Sequence, residues 1–456
     1  MKRISTQAIL ALWACKFTKF ILKTLRRRGT TLPGRIGLRI CPKLPHLLAQ
    51  DITIIAVSGT NGKSTTCHML MSAFEQEKRE CFSNQSGANL LPGITTALAH
   101  NANLWGRPTK HCAVIECDEL TAEKAFSMLQ PKMIILTNLY RDQLDRCGEI
   151  THVQNVLLSA IRQVPEAELC LNADDPLLYS IASQIPNRTA WYGVKYTTGN
   201  EDVGNLNDAR YCPHCKVPYQ YHYRTFAQLG KWCCSSCGEK SPELDVFVEL
   251  LQENSDSIKL LLHFGKQNLP VLLPIPGGYN AYNAAAAAAA LIHLGFSEEC
   301  TALSLKHFSA VFGRGEHFPI GGGTTMILIK NPAGCDQALH YLSYIKAPFS
   351  LVLILNDLEA DGTDISWIWD ANYEILNSLT NLESITVSGT RAEDLLIRLK
   401  YAGLNSDHIS LIHENSRIIR NITASETSTV VLPTYTAMCA FRPLLTKISG
   451  VSAFGE

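Results

Sequence analysis

Short, almost wholly apolar runs alternate with amphipathic stretches over most of this chain. The runs at 52–57, 112–117, 133–138 and 169–172 are too short for helices and show little polar alternation. They predict strands buried on both faces, and the helical patterns between them predict a doubly wound parallel sheet. That α/β domain is expected to occupy 51–320. A stretch at 211–239 breaks the pattern, being polar, aromatic and cysteine-dense, and it reads as an insertion over 208–242. Alternation resumes with an alanine-rich helix at 282–294, whose small side chains suit close packing. Gly321-Gly322-Gly323 predicts a domain boundary. Beyond it, runs at 326–330, 351–355, 384–387, 409–412 and 430–432 each precede a helical pattern, predicting a second α/β unit over 321–456.

The first fifty residues differ in kind. No Asp or Glu precedes Asp51, whereas Lys2, Arg3, Lys16, Lys19, Lys23, Arg26, Arg27, Arg28, Arg35, Arg39 and Lys43 do. On a helix, Leu10, Trp13, Phe17, Ile21 and Leu25 form one stripe, with Lys16, Lys19, Lys23 and Arg26 beside it. A basic amphipathic N-terminal segment over 1–50 suits peripheral contact with an anionic membrane, and equally suits a helix docked on its own protein. Both readings stand at this point. Lys16 interrupts the apolar run and no clean small-residue site follows, which argues against a signal peptide.

Composition narrows the class. With 456 residues, 46% of them apolar and 18% charged, the chain should fold as two or three globular domains. A formal net charge of zero gives no global reason to expect a nucleic-acid partner. Most of the sixteen cysteines lie singly in apolar runs, the usage of reduced thiols, which predicts a cytoplasmic protein. No run of about twenty apolar residues is present to span a bilayer.

The sharpest chemistry lies at 57–65, Val-Ser-Gly-Thr-Asn-Gly-Lys-Ser-Thr, between a predicted strand and a predicted helix. That context makes a phosphate-binding loop, a variant one with valine at its first position. Gly59, Thr60, Asn61, Gly62 and Thr65 would wrap backbone N–H groups around phosphate oxygens at a helix N-terminus. Lys63 would reach the β- and γ-phosphates of ATP, and the Ser64 hydroxyl would hold Mg²⁺. An ordinary tight strand–helix turn has no need of Gly-Lys-Ser in that order.

The second constellation is Cys212-x-x-Cys215 and Cys234-x-x-Cys237, two knuckles eighteen residues apart. Four thiolates at this spacing predict a zinc ribbon with a closed, structural Zn²⁺ site. Cys233 is an alternative to Cys234 as ligand, though Cys-x-x-Cys geometry favours Cys234. A redox dithiol is the competing reading.

Further strings then fall into order: Glu116 in Ile-Glu-Cys-Asp-Glu, Asn138 in Thr-Asn-Leu-Tyr-Arg-Asp-Gln, and Asn-Ala-Asp-Asp-Pro at 172–176. After them come Tyr-Asn-Ala-Tyr-Asn at 279–283 and Gly-Arg-Gly-Glu at 313–316. Together with the phosphate loop they resemble the Mur ligase family from residue 51 almost to the C-terminus. The cysteine knuckles, Lys-Asn-Pro-Ala-Gly at 330–334 and Asp-Gly-Thr-Asp-Ile-Ser-Trp at 361–367 narrow the resemblance. They are similar to the synthetase subunits of lipid II isoglutaminyl synthases, which pair as heterodimers with a GatD-like glutaminase.

The resemblance implies a central ATPase domain and a C-terminal Rossmann-like domain that contacts the glutaminase. It implies ATP-dependent amidation of the D-glutamate α-carboxylate in the stem peptide of lipid II, through an acyl phosphate and with ammonia from the partner. It further implies Mg²⁺ on Ser64 and Glu116, Asn280 against the adenine, and Arg314 on ATP from the far side of the site. Lys63 and Glu116 would then be catalytic. Asp364 would orient the partner's histidine as third member of a triad; its plain alternative is a turn or cap aspartate. A lipid-linked acceptor implies work at the inner face of the cell membrane.

Two departures from the amino-acid-adding Mur ligases stand out: Gln143 where they carry histidine, which puts a second metal in doubt, and no match for their carbamylated lysine. An amino-acid or polyglutamate ligase of the same superfamily is the alternative enzyme, and a nucleic-acid-binding ATPase or a non-catalytic scaffold the alternatives from other classes.

Overall fold

The computed structural model describes residues 5–25, 29–84, 87–142, 148–196, 206–308 and 314–450. Gln143 and Gly313 lie outside them, as does the side chain of Arg314.

Three helices come first: α1 (Thr6–Thr24), α2 (Leu32–Ile40) and α3 (Leu44–Ala49). The Ser5 hydroxyl caps α1 by accepting from Ala8 N–H. Then β1 (Thr53–Ser58), α4 (Lys63–Gln76), β2 (Phe82–Ser83), α5 (Leu91–Asn101), β3 (Cys112–Glu116), α6 (Ala122–Leu129) and β4 (Met133–Leu136) alternate as expected. They are followed by α7 (Ile150–Arg162), β5 (Glu168–Asn172), α8 (Pro176–Ala182) and β6 (Thr189–Tyr196). The hairpin β7 (Gln220–Phe226) and β8 (Leu229–Cys233) stands apart, followed by a meander of β9 (Val246–Glu253), β10 (Ile258–Phe264) and β11 (Gln267–Leu273).

Among the described residues the first sheet runs β11-β10-β9-β6-β5-β4-β1-β3-β2. It is parallel from β2 to β9, and β10 and β11 extend it antiparallel. The meander carries the period-2 burial of a one-faced sheet, with Ile258, Leu260, Leu262 and Phe264 all inward. Its buried face packs against α9 (Tyr279–His293) and α10 (Glu298–Lys306). Every residue of α9 from Asn280 to Leu291 is buried. A run of alanines lets that helix approach the sheet closely, at little loss of side-chain entropy. The opposite face of the sheet is covered by α1, α3, α5, α6, α7 and α8.

The second sheet is built of β12 (Arg314–Phe318), β13 (Thr324–Ile327), β14 (Phe349–Ile354), β15 (Leu382–Ser388), β16 (Ile409–Leu411) and β17 (Ser428–Pro433). Its order is β12-β13-β17-β14-β15-β16, parallel except for the β12–β13 hairpin. Helices α11 (Pro332–Leu342), α12 (Ala392–Tyr401), α13 (Asn415–Ala424) and α14 (Tyr435–Ser449) cover its two faces. Gly321-Gly322-Gly323 therefore forms the turn of a hairpin inside this sheet, not a linker before it. The second domain takes in β12, which Arg442 of α14 anchors through a bidentate pair with Glu316.

Candidate active site

The loop between β1 and α4 is shaped by two glycines. Gly59 and Gly62 have φ of 117° and 90°. A Cβ on Gly59 would lie 2.3 Å from Thr137 Oγ1, and one on Gly62 would lie 2.1 Å from Asn283 Oδ1. Conformation and space both exclude a side chain at these positions.

The loop is held from behind by the segment after β4. Thr60 N–H donates to the Asn138 carbonyl at 2.8 Å and Asn61 N–H to Asn138 Oδ1 at 2.9 Å. Asn138 Nδ2 returns a bond to the Asn61 carbonyl at 3.1 Å, and Tyr140 N–H donates to Thr60 Oγ1 at 3.0 Å. The bracing segment is itself fixed by the string at 172–176. Asn172 Nδ2 donates to the Thr137 carbonyl, and Asp175 accepts from Leu139 N–H and from Leu177 N–H, capping α8. Burial pushes Asp175 up to about 7, against the pull of those two N–H bonds.

Lys63 and Ser64 open α4, both buried. Lys63 Nζ donates to the carbonyls of Gly59 and Thr60 and pairs with Glu119 Oε1 at 3.0 Å. Burial pulls the Lys63 pKa down, but Glu119, Asp118 and Glu116 outweigh it and raise it above the ordinary value, so the ammonium stays charged. Burial pushes Glu119 up in turn, against the attraction of Lys63. Ser64 Oγ donates to Glu116 Oε2 at 2.7 Å, and Asn89 Nδ2 donates to Glu116 Oε1 at 3.1 Å. Asn84 grips the Glu116 backbone on both sides, at 2.8 Å each. Three carboxyl groups thus face one buried ammonium, with a hydroxyl among them. An all-oxygen set with surplus negative charge fits Mg²⁺ bound together with phosphate.

The cleft above the loop is lined by Asn61, Gly62, Thr65, Tyr279, Asn283 and Lys330, among others. Asn280 is buried beneath it, donating to the Pro276 carbonyl at 2.6 Å and accepting from Asn283 Nδ2 at 2.9 Å. Asn283, one turn further along α9, is the amide that meets the loop. Arg314 opens β12, with its side chain outside the described residues.

Several contacts join the second domain to the first: Arg141 approaches Asp370 at 3.6 Å, the Tyr341 hydroxyl donates to the Ser255 carbonyl at 2.9 Å, and two more lie at the loop. Lys330 Nζ pairs with Asp142. Asn331 and Asn61 exchange side-chain hydrogen bonds at 3.2 and 3.3 Å, while Asn331 Oδ1 also caps α11 by accepting from Gly334 N–H.

Asp361 and Asp364 differ in surroundings. Asp361 is buried and accepts from Thr436 N–H at 2.7 Å, from the Thr436 hydroxyl and from Leu358 N–H. Asp364 is half-exposed, and its Oδ1 accepts from Ser366 N–H two residues on at 2.8 Å, the bond of an aspartate turn leading into the short helix Ser366–Trp369.

The thiols of Cys212, Cys215, Cys234 and Cys237 lie within 4.8 Å of one another, Cys212 and Cys237 at 3.7 Å. Four sulfurs about 2.3 Å from one tetrahedral ion sit roughly 3.8 Å apart, so the cluster matches zinc in size. Backbone N–H groups of Cys237 and Ser236 hold the Cys234 thiol below its ordinary value. Cys233 ends β8 and is not part of the cluster. This insertion also packs onto the bracing segment: Trp232 Nε1 donates to the Ala173 carbonyl, Gln228 Nε2 to the Leu139 carbonyl, and Arg141 pairs with Asp208.

Two family descriptions match the chain: the Mur ligase middle domain over residues 57–212 and the MurT ligase C-terminal domain over 328–438. The lipid II isoglutaminyl synthase (glutamine-hydrolyzing) subunit MurT of Streptococcus pneumoniae is 35% identical over 446 residues, covering 97% of this chain and 98% of that protein. The subunit of the same name from Staphylococcus aureus strain COL is 33% identical, covering 96% and 97%. Among solved structures, a pseudomurein peptide ligase type C from Methanothermus fervidus superposes with a TM-score of 0.64 at 21% identity, covering 90% of this chain and 84% of that one. MurF from Acinetobacter baumannii gives 0.66 at 18% identity, covering 91% and 80%. At these identities the structural likeness speaks for the fold alone.

Proposed function

This chain belongs to the Mur ligase family, in its MurT branch, and on that premise we propose how its residues divide the work of amidation. It is an ATP-dependent ligase of peptidoglycan synthesis. The observation that carries the reading is the Ser64–Glu116 contact at 2.7 Å beside the buried Lys63. It is the arrangement expected where the terminal phosphates of ATP lie.

The backbone of Gly59 to Thr65 receives the phosphates, and Lys63 exchanges its carbonyl partners for phosphate oxygens, neutralising charge as the γ-phosphoryl moves. Ser64 and Glu116 would hold Mg²⁺, which supplies charge neutralisation between phosphates. Asn283 and Tyr279 line the cleft where the remainder of the nucleotide would lie, Asn280, bonded to Asn283, would meet the adenine, and Arg314 would contact ATP. An oxygen of the acceptor carboxylate attacks the γ-phosphorus and ADP leaves. Ammonia then attacks the acyl carbon, phosphate departs, and the amide nitrogen loses its extra proton. Lys330 and Asn331 keep the second domain over the loop and exclude water from the acyl phosphate.

In this reading the acceptor is the D-glutamate α-carboxylate of lipid II and the nitrogen comes from glutamine hydrolysed by a GatD-like partner; the relatives' name, a glutamine-hydrolyzing lipid II isoglutaminyl synthase subunit, supports it. Asp364 would serve that partner's histidine, and its second carboxylate oxygen, outside the turn bond to Ser366, is the atom for the task. The cysteine cluster would hold a structural Zn²⁺ that keeps the insertion seated against Ala173 and Leu139. A lipid-linked acceptor places the reaction at the inner membrane face; no described helix is long and apolar enough to cross a membrane.

The test is mass analysis of lipid II incubated with ATP, glutamine and the complex of this chain with its glutaminase. One carboxyl converted to amide is expected. Product formed only with a free amino acid, and without glutaminase, would replace this reading by an amino-acid ligase.

A further inference from the structure

Helix α1 is mounted the opposite way round from a helix that docks by its large side chains. Its inward face is Ala8, Ala11, Leu12 and Cys15, packed in the core shared with α3 and α5. Its large apolar residues point outward. Phe17 and Phe20 are each 65% exposed and Leu25 is 63% exposed, with Leu10, Trp13 and Ile21 also exposed. Trp13 Nε1 donates to the Leu104 carbonyl at 2.9 Å, which brings the exposed Leu104 and Trp105 to the same patch. Self-docking through these four residues leaves the other apolar face uncovered, a contiguous exposed patch of the kind that marks an interaction site.

Cations border the patch. Lys16 and Lys19 are half-buried and Lys23 is exposed, and no carboxylate among the described residues pairs with any of them. His100, at the end of α5, faces the same group: burial, then Lys19, Lys16 and Lys23, lower its pKa. A cavity of about 330 Å³ opens between α1 and α5, lined by Lys19, Thr96, His100, Asn101 and Lys110. A second, lined by Lys16, Lys19, Phe20, Lys23 and His100, joins it to the apolar patch. Like charges gathered without counter-ions beside an apolar surface call for an occupant that is apolar in one part and anionic in the next. A bilayer with anionic headgroups is built that way, whereas a protein partner would have to bring both a large apolar face and a row of acids.

We infer that α1 lies in the plane of an anionic membrane surface, its outward apolar residues among the acyl chains and its lysines on lipid phosphates, which also enter the cavity beside α5. The helix, about 28 Å long, rests on the surface without crossing it. Lysine stems lie along the apolar layer while their ammonium groups reach phosphate. The inference rests on the proposed lipid-linked acceptor for its biological sense, yet it stands on binding alone.

The experiment is vesicle sedimentation with the full chain in its glutaminase complex, using phosphatidylcholine vesicles with and without phosphatidylglycerol. Compared with wild type are Phe17→Glu/Phe20→Glu and Lys16→Gln/Lys19→Gln/Lys23→Gln, all on the outer side or flank of α1. Melting curves and amidation of a soluble acceptor report whether each variant still folds. Wild type should bind vesicles containing phosphatidylglycerol at least tenfold more tightly than pure phosphatidylcholine, and less so at high salt. Each variant should lose tenfold or more in vesicle binding while retaining soluble-acceptor activity. Equal partitioning of wild type and variants would overturn the inference, as would wild type failing to bind either vesicle. Self-association of wild type that Phe17→Glu/Phe20→Glu abolishes would overturn it too, assigning the face to a second copy. Vesicle binding with no amidation of any acceptor would instead overturn the proposed reaction and leave this inference standing.

Discussion

Removing the Lys63 ammonium should have two separable effects, because that group pairs with Glu119 in the structure and, in the proposed reaction, with the phosphates. In the structure it neutralises Glu119 at 3.0 Å, with both side chains about nine-tenths buried. Lys63→Met keeps the length of the stem and deletes the charge that Glu119 pairs with and that Glu116 and Asp118 also face. Breaking a buried pair from one side destabilises by about 3–5 kcal/mol. Burial already raises the Glu119 pKa, so the orphaned carboxyl can take up a proton, and we expect the low end, about 3 kcal/mol. For a domain of this size that corresponds to a fall in Tm of roughly 6–12 °C. Glu119→Gln in the same chain removes the orphaned charge, and the double variant should return to within about 1 kcal/mol of wild type. Turnover should not return. Losing a group that stabilises developing phosphoryl charge lowers kcat by about 10²–10³-fold, in the double variant as in the single one. The assay is thermal melting alongside ADP release with ammonium as nitrogen source. A single variant as stable as wild type would refute the electrostatic account of the pair. A double variant that regained turnover would refute the role of Lys63 at the phosphates.

Outcomes for three other variants follow from the geometry. Cys212→Ser/Cys215→Ser should lose one equivalent of zinc by metal analysis. It should also weaken nucleotide affinity several-fold, because Trp232 and Gln228 of the same insertion brace the segment behind the loop; full zinc retention would sink the ribbon. Asp364→Asn in an assembled complex should suppress glutamine-dependent amidation at least tenfold and recover with high ammonium, whereas Asp361→Asn should lower Tm through its lost bonds to Thr436. Equal loss with both nitrogen sources would move Asp364 out of the partner's triad.

The legible parts of the chain were those with local spacing. The loop at 57–65 and the two cysteine pairs each define geometry within a few residues, and the structure brings both together as clusters. The bracing of Thr60 and Asn61 by Asn138 and Tyr140 joins residues nearly eighty positions apart, and no local pattern marks it. Asn280 and Asn283 sit one turn apart in the stretch of α9 that is buried on every side, where periodicity offers no outward face to tell them apart. The strands at 246–273 carry clear alternation, but alternation does not say which sheet edge they join. Triglycine reads equally as a linker or a hairpin turn, and only the pairing of β12 with β13 decides. For α1, helical periodicity found the apolar stripe but not which way it faces. The opposite side docks it through Leu12 and three small residues, Ala8, Ala11 and Cys15.

The seam between the two domains is of mixed character. Asn61 and Asn331 each offer a donor and an acceptor and carry no charge, so neither protonation nor dissolved ions alter their exchange. Lys330 and Asp142, close by, form an ion pair whose side chains remain partly open to solvent, 23% and 14% exposed. Ionic strength therefore acts on one half of this contact and spares the other. Concentrated salt would loosen the Lys330–Asp142 clasp and the Arg141–Asp370 pair beyond it, while the amide exchange holds the loop to the second domain unchanged.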